Sequence, residues 1–189
     1  MNSPFRGPKA ETSTSPGYGL GAIAFHWLMA ALVVVVGGVG LLFKYFPRKA
    51  FPEWLSVHAL FGLAVLVLVV ARMRWRATHV PPDLPGQIGE FTRRTSHAAH
   101  ILLYVLMFIT PIMGIVGFIA HGRVLYLGLF SLHSPAPNRA IFHPAEHIHQ
   151  WLAYGLFALA GIHIAAALWH HFILRDGLIL RILPARKRA

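Results

Sequence analysis

The sequence predicts an all-α integral membrane protein, a four-helix bundle with both termini in the cytoplasm. Three observations predict it. Four apolar runs are each long enough to cross a hydrocarbon core of about 30 Å, which takes roughly 20 helical residues. Only 12% of the 189 residues are charged, against about 25% in an ordinary soluble domain. The basic residues gather in alternate connections, the pattern that orients membrane chains.

The runs extend from about Gly21 to Phe46, Trp54 to Ala71, His97 to Ala120 and Gln150 to Leu174. The first is longer than the apolar stretch of about 7–15 residues in a signal peptide, and no small-x-small cleavage site follows it, only Phe43-Lys44-Tyr45-Phe46. Residues 1–18 are polar and rich in Pro, Ser, Thr and Gly, a composition that predicts a disordered tail ahead of one membrane domain, residues 19–185. Connections this short favour antiparallel neighbours in a bundle. Trp75, Trp169, Tyr45 and Trp54 fall near the expected membrane interfaces, where aromatic belts form.

The amino tail, second connection and carboxyl tail hold twelve Lys and Arg: Arg6, Lys9, Arg72, Arg74, Arg76, Arg93, Arg94, Arg175, Arg181, Arg186, Lys187 and Arg188. The first and third connections hold five: Lys44, Arg48, Lys49, Arg123 and Arg139. This asymmetry puts both termini on the cytoplasmic side of the membrane. Long apolar runs separate the basic clusters, so the net charge of +11 is read as facing anionic lipid headgroups and not nucleic acid. With no cysteine, the chain has no disulfide, iron–sulfur cluster, thiolate haem ligand or thiol zinc site.

Thirteen histidines in so apolar a chain call for a reason, because unpaired polarity inside a membrane is costly. His26 falls near the inner end of the first run, and His58 near the outer end of the second. His149 opens the fourth run from outside, and His163 follows fourteen residues later. In an ideal helix that interval returns to within about 40° of the same face and separates the Cα atoms by about 21 Å. The fourth helix therefore points two imidazoles in nearly one direction at two depths. His58 matches His149 in depth, and His26 matches His163. One imidazole from each of two facing helices is what a flat haem needs for its axial positions, so two layers predict two haems b. Competing roles for such histidines are a hydrogen bond to a neighbouring helix, a proton relay or a divalent-metal site. All six acidic residues lie in tails or connections, which weakens a transporter-type ion site.

Other residues fall on the same stripes. Gly40 is fourteen residues after His26, Gly114 fourteen after His100, and Gly62 one turn after His58. Each could let a macrocycle edge approach the backbone, or serve ordinary small-residue helix packing. Arg72 is fourteen residues after His58, at the inner depth, placed to neutralise propionates of an inner haem or to anchor the helix at the interface. His100 is an alternative to His26 as partner of His163. His170, seven residues after His163 and about 10 Å away on the same face, suits a quinone headgroup beside the inner haem; His100 is a second candidate for that role. His79 and His171 are uninformative.

At these residues the sequence resembles the bacterial cytochrome b561 family, and more widely the cytochrome b subunits of hydrogenases and formate dehydrogenases. Ala24-Phe25-His26-Trp27, Val57-His58-Ala59-Leu60-Phe61-Gly62, Ser96-His97-Ala98-Ala99-His100, the His149–His163 interval, Trp169-His170-His171 and Leu183-Pro184-Ala185-Arg186-Lys187 carry the resemblance. It implies two bis-histidine haems b, with the fourth helix giving a ligand to each. It also implies quinone as one electron partner; some members are similar to superoxide oxidases, which pass electrons from periplasmic superoxide to ubiquinone. The third connection departs from the pattern, being long and holding His121, His133, His143 and His147.

The function expected from sequence is electron transfer from an outer-side donor, superoxide or another periplasmic donor, to ubiquinone. Lys44, Arg48, Lys49, Arg123 and Arg139 lie on the outer side, either as scattered solvated charges or as a positive funnel that would draw in an anion. The rival readings are a cytochrome b anchor subunit of a multisubunit dehydrogenase and a non-redox transporter or ion-binding protein.

Overall fold

A computed structural model describes residues 17–82, 88–122, 124–126, 130–134 and 137–183. Four helices make up most of it: α1 Leu20–Leu42, α2 Phe51–Thr78, α3 Glu90–His121 and α4 Arg139–Trp169. All four are long and apolar enough to cross a membrane. The chain is an all-α membrane bundle, as its hydropathy predicts, with one small β-hairpin. The expected tail falls largely outside the described residues, as do Arg6, Lys9, Arg123, Arg186, Lys187 and Arg188. Gly17 and Tyr18 are described, and the Tyr18 amide donates to the Arg181 carbonyl at 3.0 Å.

The helices outrun the apolar stretches that announced them. Helix α3 begins seven residues before His97, and α4 begins ten before His149. Apolar runs mark only the part of a helix that meets hydrocarbon; the helical backbone continues into the interface because it satisfies its own hydrogen bonds there. His121 therefore closes α3, and His143 and His147 ride on α4, leaving only His133 of that group in the connection. Asn138 caps α4, its side-chain oxygen accepting from the Ala140 amide at 3.1 Å.

In the same connection Val124–Tyr126 (β1) pairs antiparallel with Ser131–His133 (β2). This hairpin docks on the start of α2: the Tyr126 amide donates to the buried hydroxyl of Ser56 at 3.0 Å, and that hydroxyl donates to the Pro52 carbonyl at 2.8 Å. The hairpin thus covers the bundle two residues from His58.

Helix α1 packs on α2, α2 on α3 and α3 on α4, whereas α1 and α4 do not pack closely among the described residues. The protein core is thin, centred on Val33, Val65 and Leu156. Val34, Leu63, Val67, Ile101 and Ile162 point outward, as lipid-facing side chains do. At the terminus end the chain leaves α4 through a π turn, His170–Leu174, and a 3₁₀ turn, Leu178–Ile182. The 3₁₀ turn is tied to α1, where the Trp27 indole donates to the Ile182 carbonyl at 2.9 Å. Arg181 is buried beneath it and donates to the Pro82 carbonyl at 3.3 Å.

Candidate functional site

Histidines meet between the helices at two levels. At the hairpin end His58 of α2 and His149 of α4 face each other with ring centres 5.9 Å apart. At the terminus end His26 of α1 and His163 of α4 face each other at 6.5 Å. Both pairs inferred from depth are brought together.

Two imidazoles on opposite sides of one metal ion have ring centres about 6 Å apart, since each metal–nitrogen bond is about 2 Å and the ring centre lies about 1 Å behind the nitrogen. Both pairs match that spacing. His100 of α3 also reaches His163, at 5.2 Å, closer than the spacing allows. His163 therefore has two histidine neighbours, and His26 is the one at ligand spacing.

The upper pair is held in one tautomer. His58 Nδ1 lies 2.9 Å from the Val36 carbonyl oxygen, and His149 Nδ1 lies 2.8 Å from the Thr110 carbonyl oxygen. A carbonyl only accepts, so each Nδ1 carries the proton and each Nε2 is the bare nitrogen of the neutral ring. Histidines that bind metal are commonly fixed in this way, by a bond from the other ring nitrogen. Each acceptor is four residues before a glycine. A Cβ on Gly40 would lie 3.0 Å from His58 Cε1, and one on Gly114 would lie 3.0 Å from His149 Cε1. The glycine beside each carbonyl leaves room for the ring that bonds to it. The sequence marked these glycines as room for a macrocycle edge; their immediate neighbours are the imidazoles themselves.

An apolar cleft joins His58 to His149, lined also by Gly62, Val65, Leu156 and Phe157. Its free volume is about 60 Å³, less than a macrocycle needs. Phe157 lines it from α4 and packs against α1, where a Cβ on Gly37 would lie 1.7 Å from the tip of its ring. The ring spacing and the free Nε2 atoms fit a pair of haem ligands, and the cleft between them would have to widen, with Phe157 displaced, to take the macrocycle. The hydroxyl of Thr110 is buried at this level without a hydrogen-bond partner.

Near the lower pair, Arg72 lies half-buried and reaches inward from α2. Its guanidinium is 3.8 Å from Met29 Sδ and 5.7 Å from the centre of the Tyr104 ring. No carboxylate among the described residues pairs with it. An arginine on the inner face of a membrane bundle needs an anion or water to offset its desolvation. His170 opens the π turn, bonded through Nδ1 to the Asp176 carboxylate. The His170 amide still bonds to the Ala166 carbonyl, so the ideal stripe holds to this residue and the π turn departs from it beyond. Sequence reasoning missed Asp176, because it counted the acidic residues as lying in tails or connections and gave none of them a role. His97 is exposed on α3. Among the described residues no three His, Asp or Glu side chains cluster as a metal site.

The profile of the prokaryotic cytochrome b561 family matches residues 17–185. The chain belongs to that family. A prokaryotic cytochrome b561 is a membrane cytochrome b of electron transport, and membership implies b-type haem. This sets aside the non-redox transporter. The chain is similar to cytochrome b561 homolog 2 of Escherichia coli K12, with 32% identity over 91% of this chain and 94% of that protein. It is similar to the probable superoxide oxidase CybB of Yersinia pestis, with 28% identity over 87% of this chain and 94% of that protein. A cytochrome b562 of Cereibacter sphaeroides is 27% identical over 90% of this chain and 98% of that protein.

Proposed function

We propose that this cytochrome b561 holds two b-type haems, one between His58 and His149 and one between His26 and His163, in a single domain spanning residues 19–185. It oxidises superoxide on the outer face of the bacterial inner membrane and reduces ubiquinone near the cytoplasmic face, where both termini lie. The observation that carries this reading is the pair of facing imidazoles at each of two levels, α4 giving one ring to each pair, at the spacing that two ligands of one metal ion would have. The similarity to a probable superoxide oxidase supports the choice of donor.

Bound haem supplies one-electron transfer. The chain supplies position, charge and hydrogen bonds. The Val36 and Thr110 carbonyls hold His58 and His149 with Nε2 free for iron. Arg72 offsets the negative charge of propionates at the lower level. Lys44, Arg48, Lys49 and Arg139 concentrate an anion at the outer face. His170 or His100 donates a hydrogen bond to a quinone oxygen; Gly40, Gly62 and Gly114 keep the upper layer open.

The test is a reduced-minus-oxidised spectrum of the purified protein with pyridine haemochrome quantitation, followed by superoxide-driven ubiquinone reduction in proteoliposomes. Two low-spin b haems per chain and quinol formation are expected. One haem per chain, or a high-spin signal, counts against the pairing. Two haems with no response to superoxide leave the pairing standing and remove the donor.

A further inference from the structure

Asp176 is the carboxylate that the function above leaves unused, and the chain is bent to put it where it is. A π turn, His170–Leu174, interrupts the end of α4. Arg175 follows with φ 54° and Gly177 with φ 74°, both left-handed. For Arg175 that conformation is costly, and such a cost persists only where the surroundings enforce it. Between these two residues the Asp176 side chain is only 18% exposed. One carboxylate oxygen accepts from the Leu178 amide at 3.1 Å, and the other is bonded to His170 Nδ1. The 3₁₀ turn beyond is fastened to α1 by Trp27 and to the α2–α3 connection by Arg181. The carboxylate is therefore held against the imidazole from several directions.

We propose that Asp176 is a positioning residue for quinone protonation, acting through His170. The proposal rests on the quinone site inferred above. Taking up two electrons, ubiquinone needs two protons to become quinol, one on each oxygen. The electrons come from the one-electron outer donor, two superoxide ions being oxidised to two dioxygen molecules. A proton passes from Nε2 of the doubly protonated His170 ring, which keeps its Nδ1 proton in the bond to Asp176, to the nearer quinone oxygen: the N–H bond breaks and an O–H bond forms, while the farther oxygen takes its proton from water. His170 regains the proton from cytoplasmic water. The bond from Nδ1 to Asp176 fixes the ring so that Nε2 is the nitrogen offered to the quinone, the role a carboxylate plays behind a general-acid histidine.

The experiment compares Asp176→Asn, Asp176→Glu and His170→Ala as purified dihaem proteins. Asp176→Asn is expected to lower kcat for ubiquinone reduction about ten- to a hundredfold, within the range of a lost general-acid contribution, with KM changed less than kcat. Asp176→Glu is expected to restore most of that loss. In ¹⁵N-histidine-labelled protein, the downfield N–H resonance of a charge-assisted His170 bond is expected in the wild type and absent from Asp176→Asn. Unchanged kcat in Asp176→Asn, with His170→Ala impaired, overturns the role of Asp176 alone. Unchanged kcat in His170→Ala overturns the quinone site beneath it. Haem loss in Asp176→Asn, or equal damage in Asp176→Glu and Asp176→Asn, makes Asp176 a turn-holding residue and overturns the proposal.

Discussion

His58 Nδ1 lies 2.9 Å from the carbonyl oxygen of Val36, and the ring fits there because the next turn of α1 carries Gly40. The same arrangement recurs across the bundle with His149, Thr110 and Gly114. In each case one helix lends a carbonyl and a gap to a histidine of its neighbour, which turns the other ring nitrogen free.

Adding a methyl group at either gap should disturb the upper layer alone. A Cβ at Gly40 or Gly114 meets an imidazole at 3.0 Å, whereas Gly38 has nothing within 4 Å. Gly40→Ala and Gly114→Ala are each expected to lower haem content from two toward about one per chain, or to shift the potential of one haem. Gly38→Ala is expected to do neither. The measurement is haemochrome stoichiometry with a redox titration.

The pairing can be read by deletion. His58→Ala and His149→Ala are each expected to remove one and the same haem, leaving the other spectrally intact. His26→Ala is expected to remove the remaining one and His100→Ala to retain it, because His100 sits at 5.2 Å from the His163 ring rather than the 6.5 Å of His26. If the low-temperature difference spectrum shows His100→Ala losing the lower haem and His26→Ala keeping it, the ligand on that side is His100.

Arg72 should set the potential of the lower haem. A fixed positive charge favours the reduced, more negative state. At about 10 Å in an effective dielectric of about 20 it contributes about 1–2 kcal/mol, or several tens of millivolts for one electron. Arg72→Gln is expected to lower one midpoint potential by that order and leave the other within error, and Arg72→Lys to recover most of it. A uniform shift of both potentials would show that the charge acts on the whole bundle.

Quinone reduction should depend on the terminus end. A single hydrogen bond to a neutral acceptor is worth about 1 kcal/mol net, so His170→Ala is expected to slow ubiquinone reduction by roughly fivefold or more while keeping both haems. Full activity in a His170→Ala, His100→Ala double variant that retains both haems would sink the site, and so would a quinone bound beside His58 and His149.

The sequence by itself determined that this chain crosses a membrane four times, because span length and hydropathy are local properties of each run. It also determined the two depths of histidine, since an interval of fourteen residues on one helix fixes both rotation and rise. Depth also suggested the two pairs, with His100 as the alternative to His26. Only the tertiary structure gave the ring distances, which follow from how α1 and α3 flank α4. The acceptor carbonyls of Val36 and Thr110 carry no residue-type signature, because every backbone offers one; the glycine a turn later was the visible trace, read as room for a macrocycle edge or as helix packing. The extra turns of α3 and α4 lay outside the apolar runs, where a helix no longer needs an apolar face. The partnership of Asp176 with His170 depends on a π turn and two left-handed residues, which together reverse the chain in a way that periodicity cannot express.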